Sequence, residues 1–124
     1  MSKPMYVRFE VPEDLMEKTY QVVEMARDTG KVRKGTNEVT KLIERGDAKL
    51  VVMAEDVTPE EILAHIPLLC EEKGVAYSYV SAKKQLGGAA GLTKDTASVA
   101  VLDAGKGGEL LQGLVDELKK AKSA

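Results

Sequence analysis

Five consecutive apolar residues, Leu50-Val51-Val52-Met53-Ala54, constrain the fold more than any other stretch of this chain. A half-exposed strand alternates apolar and polar side chains, whereas an unbroken apolar run of this kind suits a strand covered on both faces. Such coverage needs packed elements on either side, and helical patterns lie on both sides of the run. After Pro12, with Glu13 and Asp14 suited to a first turn, Leu15, Met16, Thr19, Val22, Val23 and Ala26 recur at helical spacing up to Gly30. Leu110, Leu111, Leu114, Val115 and Leu118 line a C-terminal helix whose last turns carry Lys119, Lys120 and Lys122. Lys31–Lys34, Lys49–Ala54, Val75–Val80 and Ala97–Leu102 read as strands. Helices and strands in alternation define an α/β chain folded as one layered domain over residues 1–124.

The remaining segments carry sharper expectations. Met1 to Glu10 reads as extended and partly frayed. Thr58-Pro59-Glu60-Glu61 combines a capping box with proline at the first helical position, so a helix is expected there, split in two by Pro67. His65 and Cys70 fall within these pieces as partly buried structural side chains, since no Ser-His-Asp or Cys-His set accompanies them. Ser81 is suited to cap a short helix carrying Lys83, Lys84 and Leu86, which runs into the small-residue loop Gly87-Gly88-Ala89-Ala90-Gly91-Leu92. Glu55-Asp56, just past a strand, resembles the phosphoacceptor position of receiver domains. Those domains need further acids after the first strand, and Lys31-Val32-Arg33-Lys34 has none.

The stretch Lys34-Gly35-Thr36-Asn37-Glu38-Val39-Thr40-Lys41 concentrates recognition chemistry. It predicts a loop, opened by Gly35, that leads into a helix closed by Gly46. Asn37 and Lys41 (i, i+4) and Glu38 and Lys41 (i, i+3) share one face, with Arg45 one turn further, while Val39, Leu42 and Ile43 face inward. An amide, a carboxylate and neighbouring cations can read a base edge and hold the phosphates beside it. The same residues also make an ordinary solvated helix start, and spacing alone leaves both readings open.

Composition excludes several classes. Lys3, Arg8, Glu10, Glu13 and Asp14 interrupt any leading apolar segment, so no signal peptide is expected. The longest apolar run is too short to span a membrane as a helix. A lone Cys70 fits a reducing, cytoplasmic setting, and one Cys with one His supplies no ordinary zinc site. The net charge of −2 argues against a generic coat for nucleic acid, yet the charges are segregated. Residues 31–49 hold Lys31, Arg33, Lys34, Lys41, Arg45 and Lys49 against three acids, and residues 73–94 hold four lysines and no acid. Residues 50–72 carry six acids and neither Lys nor Arg. Such a pattern suits a compact, site-specific RNA contact on an otherwise acidic body.

Four separated blocks, in order, resemble the kink-turn-binding RNA proteins, the archaeal ribosomal L-seven-Ae type above all. They are Gly35-Thr36-Asn37-Glu38-x-Thr40-Lys41, Ala54-Glu55-Asp56, His65-Ile66-Pro67-Leu68-Leu69-Cys70-Glu71 and Leu86-Gly87-x-Ala89-x-Gly91. The resemblance implies a three-layer αβα sandwich around a small mixed sheet, with no cofactor and no catalytic residues. It implies an RNA surface made of Lys34, Gly35, Thr36, Asn37, Glu38, Lys41 and Arg45, together with Leu86, Gly87, Ala89, Ala90, Gly91 and Leu92 over the bend. Ile62, Lys83 and Lys94 would surround a flipped-out nucleotide. Gly88 departs from the basic residue common there, and Leu92-Thr93-Lys94-Asp95 departs from the family pattern. The partners implied are kink-turn RNAs (ribosomal, box C/D and H/ACA guide, and RNase P RNA), with a Nop-family protein and fibrillarin in the box C/D particle. The free protein is expected to be a monomer. The competing reading is a small α/β enzyme or nucleotide-binding module that uses Gly87–Gly91 as a phosphate cradle. Against it, neither Gly-Lys-Ser/Thr nor Gly-x-Gly-x-x-Gly is present.

Overall fold

A computed structural model describes residues 3–123 of the chain. The apolar run forms β2 (Leu50–Ala54), every residue of which is buried. It lies inside a four-stranded sheet with β1 (Lys31–Lys34), β3 (Ala76–Val80) and β4 (Ser98–Asp103), in the order β1-β4-β2-β3. β2 pairs parallel with β3 and antiparallel with β4, and β4 pairs antiparallel with β1, so the sheet is mixed. Five helices cover it: α1 (Glu13–Thr29), α2 (Thr36–Arg45), α3 (His65–Lys73), α4 (Lys83–Ala89) and α5 (Gly108–Ser123). α1 and α5 pack together over the sheet, and α2 packs with α3 on the opposite side. This is the layered arrangement expected from a strand with two apolar faces.

The inward stripes fall where helical spacing puts them. Leu15, Thr19, Tyr20, Val22, Val23 and Ala26 of α1 are buried, as are Val39, Leu42 and Ile43 of α2 and Leu111, Leu114 and Leu118 of α5. Full burial of a side chain the size of Ile43 stabilises the fold by about 1.5–3 kcal/mol. Thr19, the polar member of the α1 stripe, is satisfied by Leu15 O at 2.7 Å and the Ser78 hydroxyl at 2.9 Å.

Four expectations are corrected. The N-terminal segment is not frayed over its described part; Met1 and Ser2 lie outside the described residues. Tyr6 is buried, its hydroxyl donates to Ala54 O at 2.7 Å, and the Tyr79 hydroxyl donates to Tyr6 O while accepting from Arg8 N–H. Phe9 stands edge-on to both Tyr77 and Tyr79. With Tyr6 tilted against Tyr79, three aromatic contacts and two hydroxyl anchors outweigh the chain entropy that would free this segment.

No α-helix starts at Thr58. Glu60–Ile62 form a single 3₁₀ turn without a side-chain cap, and the Glu60 carboxylate instead accepts from Met5 N–H. The helix begins at His65, which places Pro67 in its first turn rather than at a break. The donor that proline lacks there is one that no first-turn residue uses within its helix. Ser81 does not cap α4. Ala82 occupies that position, and Asp56 supplies the cap from a distance, accepting the Lys83 N–H at 2.8 Å. Asp56 is thus a structural residue, as is Glu55, which pairs with Lys3 at 3.2 Å.

Last, Gly87-Gly88-Ala89 is not loop but the second half of α4. Glycine disfavours helix interiors, yet Leu86, Gly87 and Ala89 are all buried there, and packing decides the conformation.

Candidate nucleic-acid interface

β1, β2 and β3 all end at the side of the sheet where β4 begins, as the pairings Lys34↔Val99, Met53↔Ser98 and Ala54↔Val80 require. Four connections therefore gather at one end: Gly35 ahead of α2, Glu55–Asp56 after β2, Ser81–Ala82 ahead of α4, and the 90–97 loop after α4. In open α/β sheets ligands dock beyond such strand ends.

Gly35 takes φ +89°, a conformation that costs a side-chain-bearing residue dearly, although nothing lies within 4 Å of where a Cβ would stand. Its N–H donates to Ser98 O at 3.2 Å, and its carbonyl accepts from Val39 N–H at 2.9 Å, so the chain turns sharply from β1 into α2. No side chain caps α2. The N–H groups of Thr36, Asn37 and Glu38 are thereby left for solvent or a ligand, at the positive end of the helix dipole. Asn37, Glu38, Lys41 and Arg45 are exposed, with Thr36 half-buried. Among the described residues, Lys34, Lys41, Arg45 and Lys94 enter no ion pair, so their charges are available to an external anion.

Beside this turn lies a groove of about 450 Å³ lined by Lys34, Gly35, Leu92, Thr93, Lys94, Asp95 and Thr96. It unites the two parts of the expected surface that are furthest apart in the chain. Leu92 is half-buried on its wall and Lys94 is exposed at it. Lys83, at the start of α4, is half-buried with its ammonium 3.9 Å from the Asp95 carboxylate. Ile62 is 40% exposed, an apolar side chain standing free on the 3₁₀ turn.

Other expected residues sit behind this surface. Leu86, Gly87, Ala89 and Ala90 are buried. Gly87 is required by packing: a Cβ there would lie 2.1 Å from Lys94 O. α4 therefore presses directly on the backbone of the groove-lining loop. Gly91, exposed and at φ +83°, lies under the Arg27 side chain, whose guanidinium donates to Gly88 O at 3.3 Å and pairs with Asp28. The small residues thus seat the loop, and residues 87–89, being helical, do not form a loop of inward-pointing N–H groups that could cradle a phosphate.

Sequence reasoning missed Thr93, Asp95 and Thr96 as groove residues, Asp56 as the cap of α4, and His65 as a partner of α2. His65 is exposed rather than partly buried, with its Nε2 2.8 Å from the Thr40 hydroxyl. Only Asp56 left a signal in the sequence, as an acid beyond a strand end. Cys70 is fully buried, and burial pushes its thiol up to about 12, which leaves no thiolate for nucleophilic chemistry near neutrality. Among the described residues no group of His, Cys, Asp and Glu is arranged to hold a metal ion.

The Ribosomal protein L7Ae/L30e/S12e/Gadd45 family model matches residues 17–111. Among solved structures, the "Giardia lamblia 15.5kD RNA binding protein" superposes with a TM-score of 0.89 at 29% sequence identity. The match covers 97% of this chain and 99% of that one.

Proposed function

The chain belongs to the Ribosomal protein L7Ae/L30e/S12e/Gadd45 family, and on that premise we propose that it is a non-enzymatic RNA-binding protein that recognises and stabilises kink-turns. The observation that carries this reading is the uncapped N-terminus of α2, with Asn37, Glu38 and Lys41 beside a groove bordered by Lys34 and Lys94. The Giardia lamblia structure, which matches nearly the whole chain, is itself named as an RNA-binding protein.

A kink-turn bends sharply at tandem sheared G·A pairs, in which guanine pairs through its sugar edge and leaves O6 and N1–H free. The Asn37 amide donates to O6, the Glu38 carboxylate accepts from N1–H, and Lys41 reaches a second O6 or a phosphate. The free N–H groups of the first turn of α2 add donors for a backbone phosphate. Regular A-form RNA offers no such edge, because its major groove is deep and narrow. Lys34, Arg45 and Lys94 hold the flanking phosphates, and Leu92 supplies an apolar contact for an unstacked base. The partners in this reading are kink-turns of ribosomal RNA and of box C/D and H/ACA guide RNAs, with a Nop-family protein and fibrillarin joining on the box C/D RNA.

The test is a kink-turn RNA labelled at both ends for fluorescence transfer, set against a control whose G·A pairs are replaced by Watson–Crick pairs. A protein shifts such an equilibrium only by binding the bent form better. Wild type should raise the kinked fraction of the first RNA alone, and Leu92→Ala should lower the fraction reached at saturation. Equal binding of both RNAs, with no bending, would refute the proposal.

A further inference from the structure

The first turn of α2 is held from both sides, by Ser98 and His65, neither of which lines the groove. On the sheet side, Ser98 O accepts the Gly35 N–H at 3.2 Å and the Thr96 hydroxyl at 3.1 Å, and the Thr36 and Ser98 hydroxyls lie 3.3 Å apart. Ser98 is fully buried, so water does not compete for these bonds. On the other side, the Thr40 hydroxyl donates to Thr36 O at 2.7 Å and meets His65 Nε2 at 2.8 Å. A hydroxyl has a single proton, and here it goes to Thr36 O, so the imidazole must be the donor in the second contact. His65 therefore carries a proton on Nε2. An imidazole on α3 is thereby tied, through Thr40, to the carbonyl at the first residue of α2.

We propose that His65 is a positioning residue for RNA recognition: its Nε2–H, acting through Thr40, fixes the first turn of α2 and so the aim of Asn37, Glu38 and Lys41. Its place follows from the topology. Among the described residues, β4 anchors the turn at Gly35 and Thr36 alone, and without His65 the next turn of α2 has no polar tie to α3. Binding that has to order a loose turn first is weaker than binding to one already fixed. This inference rests on the RNA-binding reading, but its structural half can be measured without RNA.

Two substitutions separate the two ring nitrogens. His65→Gln places an N–H donor near the Nε2 position, whereas His65→Asn reaches only as far as Nδ1. Kink-turn RNA affinity should fall about fivefold in His65→Asn, the scale of one net hydrogen bond, and stay within about twofold of wild type in His65→Gln. The salt slope should be unchanged in both, since no phosphate contact is lost. In the free protein, amide exchange at Val39, Thr40 and Lys41 should quicken in His65→Asn and be restored in His65→Gln. Equal affinity in all three proteins, no rescue by glutamine, or a slope lower by about one (which would make His65 a phosphate contact itself) overturns the proposal. If wild type shows no preference for kink-turn RNA, the functional reading has failed. The exchange comparison then still decides the positioning role, and equal exchange in all three proteins rejects it.

Discussion

Two adjacent glycines of α4 should respond to the same substitution with opposite signs. Gly87→Ala places a methyl 2.1 Å from Lys94 O, 3.0 Å from Asp95 Cα and 3.1 Å from Lys94 C. All three atoms are backbone, so no side chain can swing aside, and either α4 or the 92–96 loop must move. Overpacking of this kind costs about 1–3 kcal/mol. Replacing glycine with alanine inside a helix returns about 0.5–1 kcal/mol. Taken at their midpoints, about 2 and about 0.75 kcal/mol, these leave a net loss of about 1 kcal/mol, which lowers the melting midpoint by roughly 3–5 °C in a domain of this size. Gly88 is exposed and has nothing within 4 Å of its Cβ position. Gly88→Ala meets no clash and keeps the helix gain, about 0.5 kcal/mol so close to the helix end. Urea unfolding of the three proteins, read by circular dichroism with unchanged m-values, gives the comparison directly. Because the displaced loop lines the groove, Gly87→Ala should also weaken RNA binding while Gly88→Ala does not. A Gly87→Ala protein as stable as wild type would refute the packing of α4 on the loop, and with it the reason given for glycine there.

Further outcomes follow from single side chains. Glu38→Ala should weaken kink-turn RNA by ~1–3 kcal/mol without altering the unfolding midpoint; wild-type affinity in a filter-binding titration would remove Glu38 from base reading. Lys34→Ala should reduce the slope of log affinity against log salt by about one if it neutralises one phosphate, and an unchanged slope would exclude that contact. Asp56→Ala removes the acceptor for Lys83 N–H and should cost about 1 kcal/mol, with most of the loss recovered in Asp56→Asn, as chemical denaturation can show. Burial, with Glu71 adding to it, raises the Cys70 thiol to about 12, while an unfolded thiol titrates near ~8.5. The folded state therefore holds this proton longer, and its contribution, complete below the unfolded value, is lost as pH rises from there towards the folded one. Wild type should lose stability faster than Cys70→Ala between about pH 8 and 10, and parallel pH profiles would contradict this.

Much of the molecule was legible in the sequence because local chemistry decides it. The unbroken run Leu50–Ala54 announced a strand covered on both faces, and the helical stripes of α1, α2 and α5 announced what covers it. The turn from β1 into α2, where recognition is proposed, was legible too. Gly35, the exposed Asn37, Glu38 and Lys41, and the buried Val39, Leu42 and Ile43 all follow from one turn residue and a 3.6-residue period. What only the tertiary structure decided is whatever depends on distant contacts. Gly87-Gly88-Ala89 reads as loop by propensity, yet it is helix because Leu86, Gly87 and Ala89 are packed against the body of the protein. The start of α4 is capped by Asp56, 27 residues earlier in the chain, and not by the neighbouring Ser81. The groove joins Lys34 and Gly35 to Leu92–Thr96 because β1 and β4 pair antiparallel, bringing the end of one strand beside the start of the other. Propensity and spacing act over a few residues, whereas strand pairing and close packing act across the whole chain and, where the two disagree, prevail.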